Sequence, residues 1–472
     1  MAETLPNSSH RKDLITYSLK PSSRRQKNRR SSLLETIWHV NDTPQGESSA
    51  QLNQDEIPDH RIVTDPRLIA ILDAEYEKQR AKDANEDHGS FESDDGEDES
   101  SRPQTKIDRW GMVQEHSAEQ NEAERTERAK KSEKDKSREL KWIKMLRSIQ
   151  EINGGQGQQT LDEKVKAWIA FEKKNREKIK SRIRKGVPDS VRMHYWPLFT
   201  GALEAQAKHP NKYSTYQKQL SGGVPTEVEK QIKKDLRRTF PDHVMFKINK
   251  GDKAFSGANN GTEDEKQFTS GQRSLYNLLA AVALDHPDLG YTQGMNMLAS
   301  TFLMYMGEED SFWMMHSVLN EAKFWSFKEL YMTDFPLLSK FFYCHDKLLK
   351  KVAPKVSEKL VSLGVLTNMY AWQWFMTGFI DFPRGFVTRI WDIFFYEGVK
   401  IYIRVSVGLV LLKEKQILEF PEEEGIAVVS VLKDTSSFGD IDDAMEKCLK
   451  VNVSTKQVET WRNEAPLKYG TY

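Results

Sequence analysis

The chain has 472 residues, and its 70 Lys and Arg residues are balanced by 70 Asp and Glu residues, so the formal net charge is zero. This balance excludes an electrostatic attraction of the whole chain to nucleic acid, so no nucleic-acid partner is expected. The two cysteines, Cys344 and Cys448, form no CxxC pair, and neither a disulfide framework nor a zinc cage is indicated. A reducing compartment is expected, and we predict a cytoplasmic location.

Apolar stretches are short throughout the chain. None approaches the ~20 residues that a membrane-spanning helix needs, and the N-terminus has no apolar segment typical of a signal peptide. The longest dense apolar run, residues 405–412, is interpreted as a buried helix segment. Any membrane association is therefore expected to be peripheral and indirect, through a partner.

Residues 1–138 are expected to be a largely disordered polar region. Stretches such as residues 85–100 offer almost nothing to bury, so the entropy cost of ordering them has no compensation. One exception is residues 66–82, where apolar and charged residues alternate as in a short amphipathic helix that is either transient or docks on a partner.

A basic cluster over residues 24–30 precedes Ser31 and Ser32 near the start of the chain. Four interpretations stay open: a solvated tail, a site for a kinase, a nuclear-import signal, and a patch for anionic membranes. The serine-rich tail is therefore a candidate kinase substrate.

From about residue 140 onward, large apolar residues recur at spacings of three and four, which predicts helices, and strand signals are weak. A helical lead-in is predicted over residues 139–181, and its longer helix, 161–184, stops at Gly186 and Pro188. In the helix that follows, Arg192 and Trp196 are four residues apart, which places the cation against the ring.

The remaining helical pattern predicts one large all-α domain. Helices are predicted over residues 227–239, 274–284, 295–305, 311–320, 337–349, 352–363, 370–380, 384–395, 403–412 and 440–449. The polar, glycine-dotted residues 249–269 are predicted to be a surface loop. Residues 416–472 are expected to form a C-terminal helical extension that closes the domain.

Two short polar signatures stand out in this helical region. The first is Ile232-x-x-Asp235-x-x-Arg238, which a helix would place along one face, and the second is Gly290-Tyr291-Thr292-Gln293-Gly294. An exposed arginine and an exposed glutamine that converge are what a protein would present to a nucleotide on another protein. GTP hydrolysis needs its developing phosphate charge neutralised and its attacking water oriented.

Further motifs occur in order around these signatures: Arg184-Lys185-Gly186-Val187-Pro188, Arg192 with Trp196, Thr239-Phe240-Pro241, Gly271-Gln272, Met295-Asn296, Ser311-Phe312-Trp313, Trp374-Phe375, Arg389-Ile390-Trp391-Asp392 and Glu397-Gly398. With this whole set, residues 182–415 resemble the TBC domain family. Members of this family are all-helical GTPase-activating modules that act on Rab-family small GTPases.

The resemblance implies an activator of a GTP-bound Rab that regulates vesicle trafficking. In such families the arginine of the first signature and the glutamine of the second are inserted into the GTPase, and both are intact here as Arg238 and Gln293. GTP and Mg²⁺ would arrive with the partner, so no metal or cofactor of the chain's own is implied. The other motif residues are expected to support the site or the core: Ile232, Asp235, Tyr291 and Gly294 at the site, and Gly186, Arg192, Trp196, Trp391 and Asp392 in the core.

Two functional hypotheses remain open from the residues. The first is the activator, and the second is a non-catalytic helical scaffold that binds a Rab or another trafficking partner. Under the second, Arg238 is a surface residue paired with Asp235, and Gln293 is a turn residue. Neither His243 nor His345 has a second ligand at useful spacing, so we assign neither to a metal. Deletion of residues 1–135 is expected to change the catalytic rate little.

Overall fold

The computed structural model describes residues 105–107, 110–115, 122–152, 159–247, 268–435 and 438–469. All of them fall within the unit His60–Tyr472. The basic cluster at 24–30, the amphipathic pattern at 66–82 and nearly all of the loop at 249–269 lie outside the described residues. The expectation of disorder before residue 105 therefore stays a prediction.

The predicted all-α fold is confirmed. In chain order the helices are α1 (Glu122–Glu151), α2 (Leu161–Arg184), α3 (Asp189–Thr200), α4 (Ala202–Lys208), α5 (Lys212–Gln219), α6 (Thr226–Leu236), α7 (Ser270–Asp285), α8 (Met295–Leu303), α9 (Glu308–Asn320), α10 (Pro336–Val352), α11 (Pro354–Ser362), α12 (Thr367–Met376), α13 (Arg384–Glu397), α14 (Lys400–Leu412), α15 (Glu414–Glu419), α16 (Gly425–Lys433), α17 (Ile441–Lys450) and α18 (Thr455–Glu464). Within the described residues, the strands are β1 (Thr105–Ile107) and β2 (Val113–Glu115), which pair antiparallel.

Helix α1 begins earlier than the boundary of 139 that we set between the polar region and the lead-in. The residues before that boundary are rich in Glu, Lys and Arg, which favour helix even where little is buried. Farther along α1, Trp142, Met145 and Ile149 form a buried stripe. Packing of this stripe therefore supports a helix that propagates back through the charged residues.

Helix α2 has the predicted bounds, because both of its ends carry local signals. Thr160 caps its first turn, exchanging hydrogen bonds with Glu163. After the last turn, Gly186 has a φ of +100° and Pro188 is the cap residue of α3. The conformational freedom of glycine and the fixed φ of proline thus produce the turn between α2 and α3.

The core is aromatic and is centred on α13, which packs against α2, α3 and α14. Trp196, Phe302, Trp391 and Phe395 contact one another with ring centroids 5.1–6.3 Å apart. Trp313 and Trp374 are also buried.

The C-terminal extension packs onto this core, because α17 lies on α14 and α18 lies on α10. Among the helices of the described ranges, none is both long and apolar enough to cross a bilayer.

Candidate functional site

Arg238 lies just beyond the end of α6. Ile232 and Leu236 are fully buried and anchor the last turns of this helix. The Asp235 side chain is also buried, at 4% exposure, whereas the Arg238 side chain is 47% exposed. Arg238 Nη2 lies 2.6 Å from Asp235 Oδ1, so an inward-facing carboxylate orients an outward-facing guanidinium.

The second oxygen of Asp235 is occupied by the other signature. The Tyr291 hydroxyl donates to Asp235 Oδ2 at 2.5 Å. Burial and the Asp235 carboxylate raise the pKa of Tyr291 well above its usual value, so the phenol keeps its proton. Because Arg238 and Tyr291 use both carboxylate oxygens, the geometry assigns Asp235 to positioning rather than to proton abstraction.

The turn that carries Gln293 is held on both sides. The Thr292 hydroxyl donates to the Tyr331 carbonyl at 2.9 Å. Gly294 has a φ of +106°, and a Cβ there would lie 3.3 Å from the Met376 carbonyl oxygen, so the position requires glycine. The Gln293 side chain itself is exposed, and within the described residues no hydrogen bond holds its carboxamide. A fixed backbone therefore presents a free side chain.

A second connection between the signatures was missed by sequence reasoning. Asn296 Nδ2 donates to the Thr239 hydroxyl at 2.7 Å, while Asn296 Oδ1 accepts from the Gly294 N–H at 3.1 Å. The Thr239 hydroxyl in turn donates to the Asp235 carbonyl at 2.7 Å. In the sequence, Thr239 directly follows Arg238, and Asn296 lies two residues after Gly294. This closeness to the two signatures is the signal from which the contact could have been predicted. Together with the Tyr291 contact, this link joins the segments of Arg238 and Gln293.

The backbone turns sharply after Arg238. Phe240 adopts a φ of +42°, in the left-handed region that non-glycine residues rarely occupy. The Arg384 guanidinium lies 4.6 Å from the centre of the Phe240 ring and covers it. This tertiary contact holds a conformation that the local sequence does not favour.

The predicted core residues form a separate buried group. Arg192 binds both oxygens of Asp392 at 3.0 and 3.2 Å, and the Trp196 indole donates to Asp392 at 2.8 Å. The Arg192 Cζ also lies 5.7 Å from the centre of the Trp196 ring, as the four-residue spacing predicts. Burial disfavours the charge on Arg192, but nearby carboxylates outweigh this effect and raise its pKa. The group joins α3 to α13 and is therefore structural.

The other two members of the core set also contact α13 or lie on it. Gly186 faces the Arg389 side chain, and the Trp391 indole donates to the Gly378 carbonyl at 2.9 Å. Gly186 and Trp391 are both buried, so these contacts lie in the domain interior.

Asp285, His286 and His316 form a cluster with the spacing of metal ligands, which sequence reasoning did not find. However, Lys212 Nζ lies 2.5 Å from Asp285 Oδ1, and His316 Nδ1 lies 2.6 Å from Asp285 Oδ2. Burial raises the pKa of Asp285, but the hydrogen bonds from His316 and Lys212 lower this pKa by more than burial raises it. The carboxylate therefore stays charged. The lysine already neutralises this carboxylate, and we interpret the cluster as a structural charge network.

His243 and His345, which we left unassigned to a metal, have hydrogen-bond partners of other kinds. His345 contacts the hydroxyls of Ser406 and Tyr370 at 2.8 and 2.9 Å. His243 Nε2 lies 2.9 Å from the Trp110 carbonyl oxygen.

Comparison with known proteins gives a family match. Residues 189–418 match the model of the Rab-GTPase-TBC domain. This range overlaps most of the region 182–415 on which the resemblance was based.

Curated relatives match over a similar region. TBC1 domain family member whacked from Drosophila melanogaster is 31% identical, over 52% of this chain and 60% of its own length. Growth hormone-regulated TBC protein 1-A from Danio rerio is 31% identical, over 51% of this chain and 62% of its own. GTPase-activating protein GYP5 from Eremothecium gossypii is 30% identical, over 54% of this chain and 27% of its own. The chain thus spans less than two thirds of each relative.

Solved structures match over most of their own length. The Chlamydomonas flagellar RabGAP TBC domain is 22% identical with a TM-score of 0.46, covering 65% of this chain and 94% of that one. The Ypt/Rab-GAP domain of Gyp1p is 18% identical with a TM-score of 0.45, covering 61% and 93%.

Proposed function

Because residues 189–418 form a TBC domain and so belong to the Rab-GTPase-TBC family, we propose that the chain is a GTPase-activating protein for a GTP-bound Rab-family GTPase. The observation that carries the proposal is the pairing of the two signatures. Tyr291 on Asp235 and Asn296 on Thr239 hold the segments together, and beside these links Arg238 and Gln293 are both exposed.

Arg238 suits the stabilisation of phosphate charge. A guanidinium has five N–H donors, and the ion pair with Asp235 engages Nη2. Because about half of the Arg238 side chain is exposed, other donors stay accessible to a partner. In the transition state of GTP hydrolysis, negative charge spreads over the γ-phosphoryl oxygens, and a preoriented cation stabilises it without reorganisation. Such an arginine contributes roughly 10³- to 10⁵-fold in rate.

Gln293 suits the orientation of water. Its carboxamide offers an acceptor and two donors, so it can hold the attacking water in line with the γ-phosphorus. The hydrogen bond of the Thr292 hydroxyl and the close fit of Gly294 fix the turn that carries Gln293. This supports the role, because a side chain on a fixed turn is presented at a constant position.

In this mechanism, the chain needs no cofactor of its own, since GTP and Mg²⁺ are bound by the GTPase. The activator would act from the cytoplasm, follow its partner to endomembranes and regulate vesicle trafficking and intracellular protein transport.

The test is single-turnover hydrolysis of GTP by a panel of purified Rab proteins, with and without the full chain. Arg238→Ala should lower the acceleration by roughly 10³-fold or more, because the transition-state charge loses its cation. Gln293→Ala should also lower it, by impairing orientation of the water. Arg237→Ala is the matched control, since Arg237 is a neighbouring exposed arginine, and it should retain most of the activity.

Two outcomes would oppose the mechanism. Acceleration that survives Arg238→Ala would remove the arginine from the chemistry. Binding of a GTP-loaded Rab with no acceleration by the wild-type chain would favour the non-catalytic scaffold instead.

A further inference from the structure

A short segment that precedes the family-matched region packs against the loop that follows Arg238. We call residues 110–112 the brace and residues 240–247 the finger loop. The Val244 N–H donates to the Gly111 carbonyl at 3.0 Å, and Met112 pairs with His243 as an antiparallel bridge. The brace therefore adds backbone pairing to a loop that is otherwise made of turns.

His243 is the centre of this contact. It is 3% exposed, and its Nδ1 accepts from the Met245 N–H at 3.2 Å. Nε2 therefore carries the proton and donates to the Trp110 carbonyl, 2.9 Å away. Both ring nitrogens are used, one within the finger loop and one on the brace.

The brace packs closely against His243 and the start of α13, and this packing restricts the side chains that it can carry. Gly111 has a φ of +82°, and a Cβ there would lie 2.6 Å from His243 Nε2. The ring of Trp110 lies 3.4 Å from the position of a Cβ on Gly385, at the start of α13. Even one added methyl group at Gly111 would force His243 to move.

The start of α13 connects the brace to the turn after Arg238. The Arg384 guanidinium covers the Phe240 ring at 4.6 Å, and Arg384 Nη2 lies 3.9 Å from Met112 Sδ. The backbone N–H of His243 donates to the Phe240 carbonyl at 2.9 Å. A displacement of His243 would thus reach Phe240, whose φ of +42° sets the direction of the chain beside Arg238.

We propose that Trp110, Gly111 and Met112 are positioning residues that hold the finger loop in the conformation from which Arg238 is presented. This inference rests on the proposed function. Deletion of residues 1–135 removes the brace, so we now expect that deletion to slow hydrolysis, contrary to the sequence-based expectation of little change.

The test uses the full chain with Gly111→Ala. The matched control is Gly201→Ala, because Gly201 has a φ of +85° but no atom within 4 Å of an added Cβ. Both variants place alanine in a left-handed backbone, and only the first displaces a neighbour. Gly111→Ala should lower the kcat for GTP hydrolysis by the Rab in the presence of the chain roughly 10- to 100-fold, since a shift of about 1 Å at a reacting group has this effect. KM should change little.

A second measurement reads the brace independently of catalysis. Hydrogen exchange at the Val244 amide should become at least about tenfold faster in Gly111→Ala than in Gly201→Ala, because this N–H donates to the brace. The clash at Gly111 is also expected to lower the midpoint of thermal unfolding somewhat, as overpacking does. Faster exchange confined to the finger loop, with unchanged exchange at the core amides of α13, separates positioning from a general loss of stability.

Equal kcat in the two variants, or unchanged exchange at Val244, would overturn the inference. Faster hydrolysis by Gly111→Ala would also overturn it, because the segment would then inhibit rather than position. A wild-type chain that accelerates no Rab would remove the proposed function alone, and the exchange measurement would still decide whether the brace holds the loop.

Discussion

Asp392 is a fully buried carboxylate whose partners come from distant parts of the chain. It accepts hydrogen bonds from the Val187 backbone N–H at 2.9 Å, from Nε and Nη2 of Arg192 and from the Trp196 indole. A buried charge is tolerated only while its partners remain, because burial without them leaves it neither solvated nor paired. This residue therefore ties the turn before α3 to the middle of α13.

Arg192→Met should lower the free energy of unfolding by about 3–5 kcal/mol, because it leaves the buried Asp392 side chain without its cationic partner. Denaturant-induced unfolding measures this change. Lys208→Met is the control, since Lys208 pairs with Glu204 on the surface, and it should change stability by less than about 1 kcal/mol. A similar loss in both variants would mean that burial does not control the cost.

At the level of elements, the start of α7 packs against the finger loop and supports it. Thr269 caps α7 through Gln272, and its hydroxyl donates to the Met245 carbonyl at 2.8 Å. Gly271 permits this approach, because a Cβ there would lie 2.4 Å from the Met245 carbonyl oxygen. The N-terminus of α7 and the finger loop can therefore meet only at a glycine.

Gly271→Ala should push α7 away from the finger loop and lower the free energy of unfolding by about 1–3 kcal/mol, as overpacking does. Thermal unfolding monitored by circular dichroism measures the effect. Gly222→Ala is the control, because an added Cβ there meets no atom within 4 Å, so its stability should be unchanged or slightly higher. Equal melting midpoints would show that the loop yields to α7 without cost.

At the scale of the whole molecule, two buried neutral histidines make stability depend on pH. Burial lowers the pKa of His345 to about 3, and burial followed by Lys164 lowers that of His194 to about 4. In the unfolded chain both would titrate near 6.5. Below this pH the unfolded state binds more protons than the folded state, so stability is present above about pH 6.5 and is lost as the pH falls.

Each histidine should therefore reduce the free energy of unfolding by about 1.4 kcal/mol per pH unit between about pH 6 and pH 4.5. Denaturant unfolding at pH 7, 6 and 5 measures the slope. His345→Gln can still reach Ser406 and Tyr370 but does not titrate, so its slope should be smaller by the contribution of one proton. An unchanged slope would mean that protonation of His345 does not contribute to the pH dependence of the free energy of unfolding.

Helices with strong local signals were predictable in position. Helix α2 has both its cap and its stop signal in the sequence and was located without error, whereas α4 and α5 are short, partly exposed and were missed. Helix α1 was placed too late because its charged first half carries no apolar period. Periodicity and capping are local properties, and where they are weak the tertiary packing decides.

The sequence by itself identifies the two signatures and the all-α class. Both follow from the spacing of residues a few positions apart, because helix geometry couples only near neighbours. Which side chains meet across the chain was decided by packing. Tyr291 reaches Asp235 over 56 positions, Asn296 reaches Thr239 over 57, and His243 reaches Trp110 over 133. Such contacts depend on how whole helices are stacked, and no local pattern encodes that arrangement.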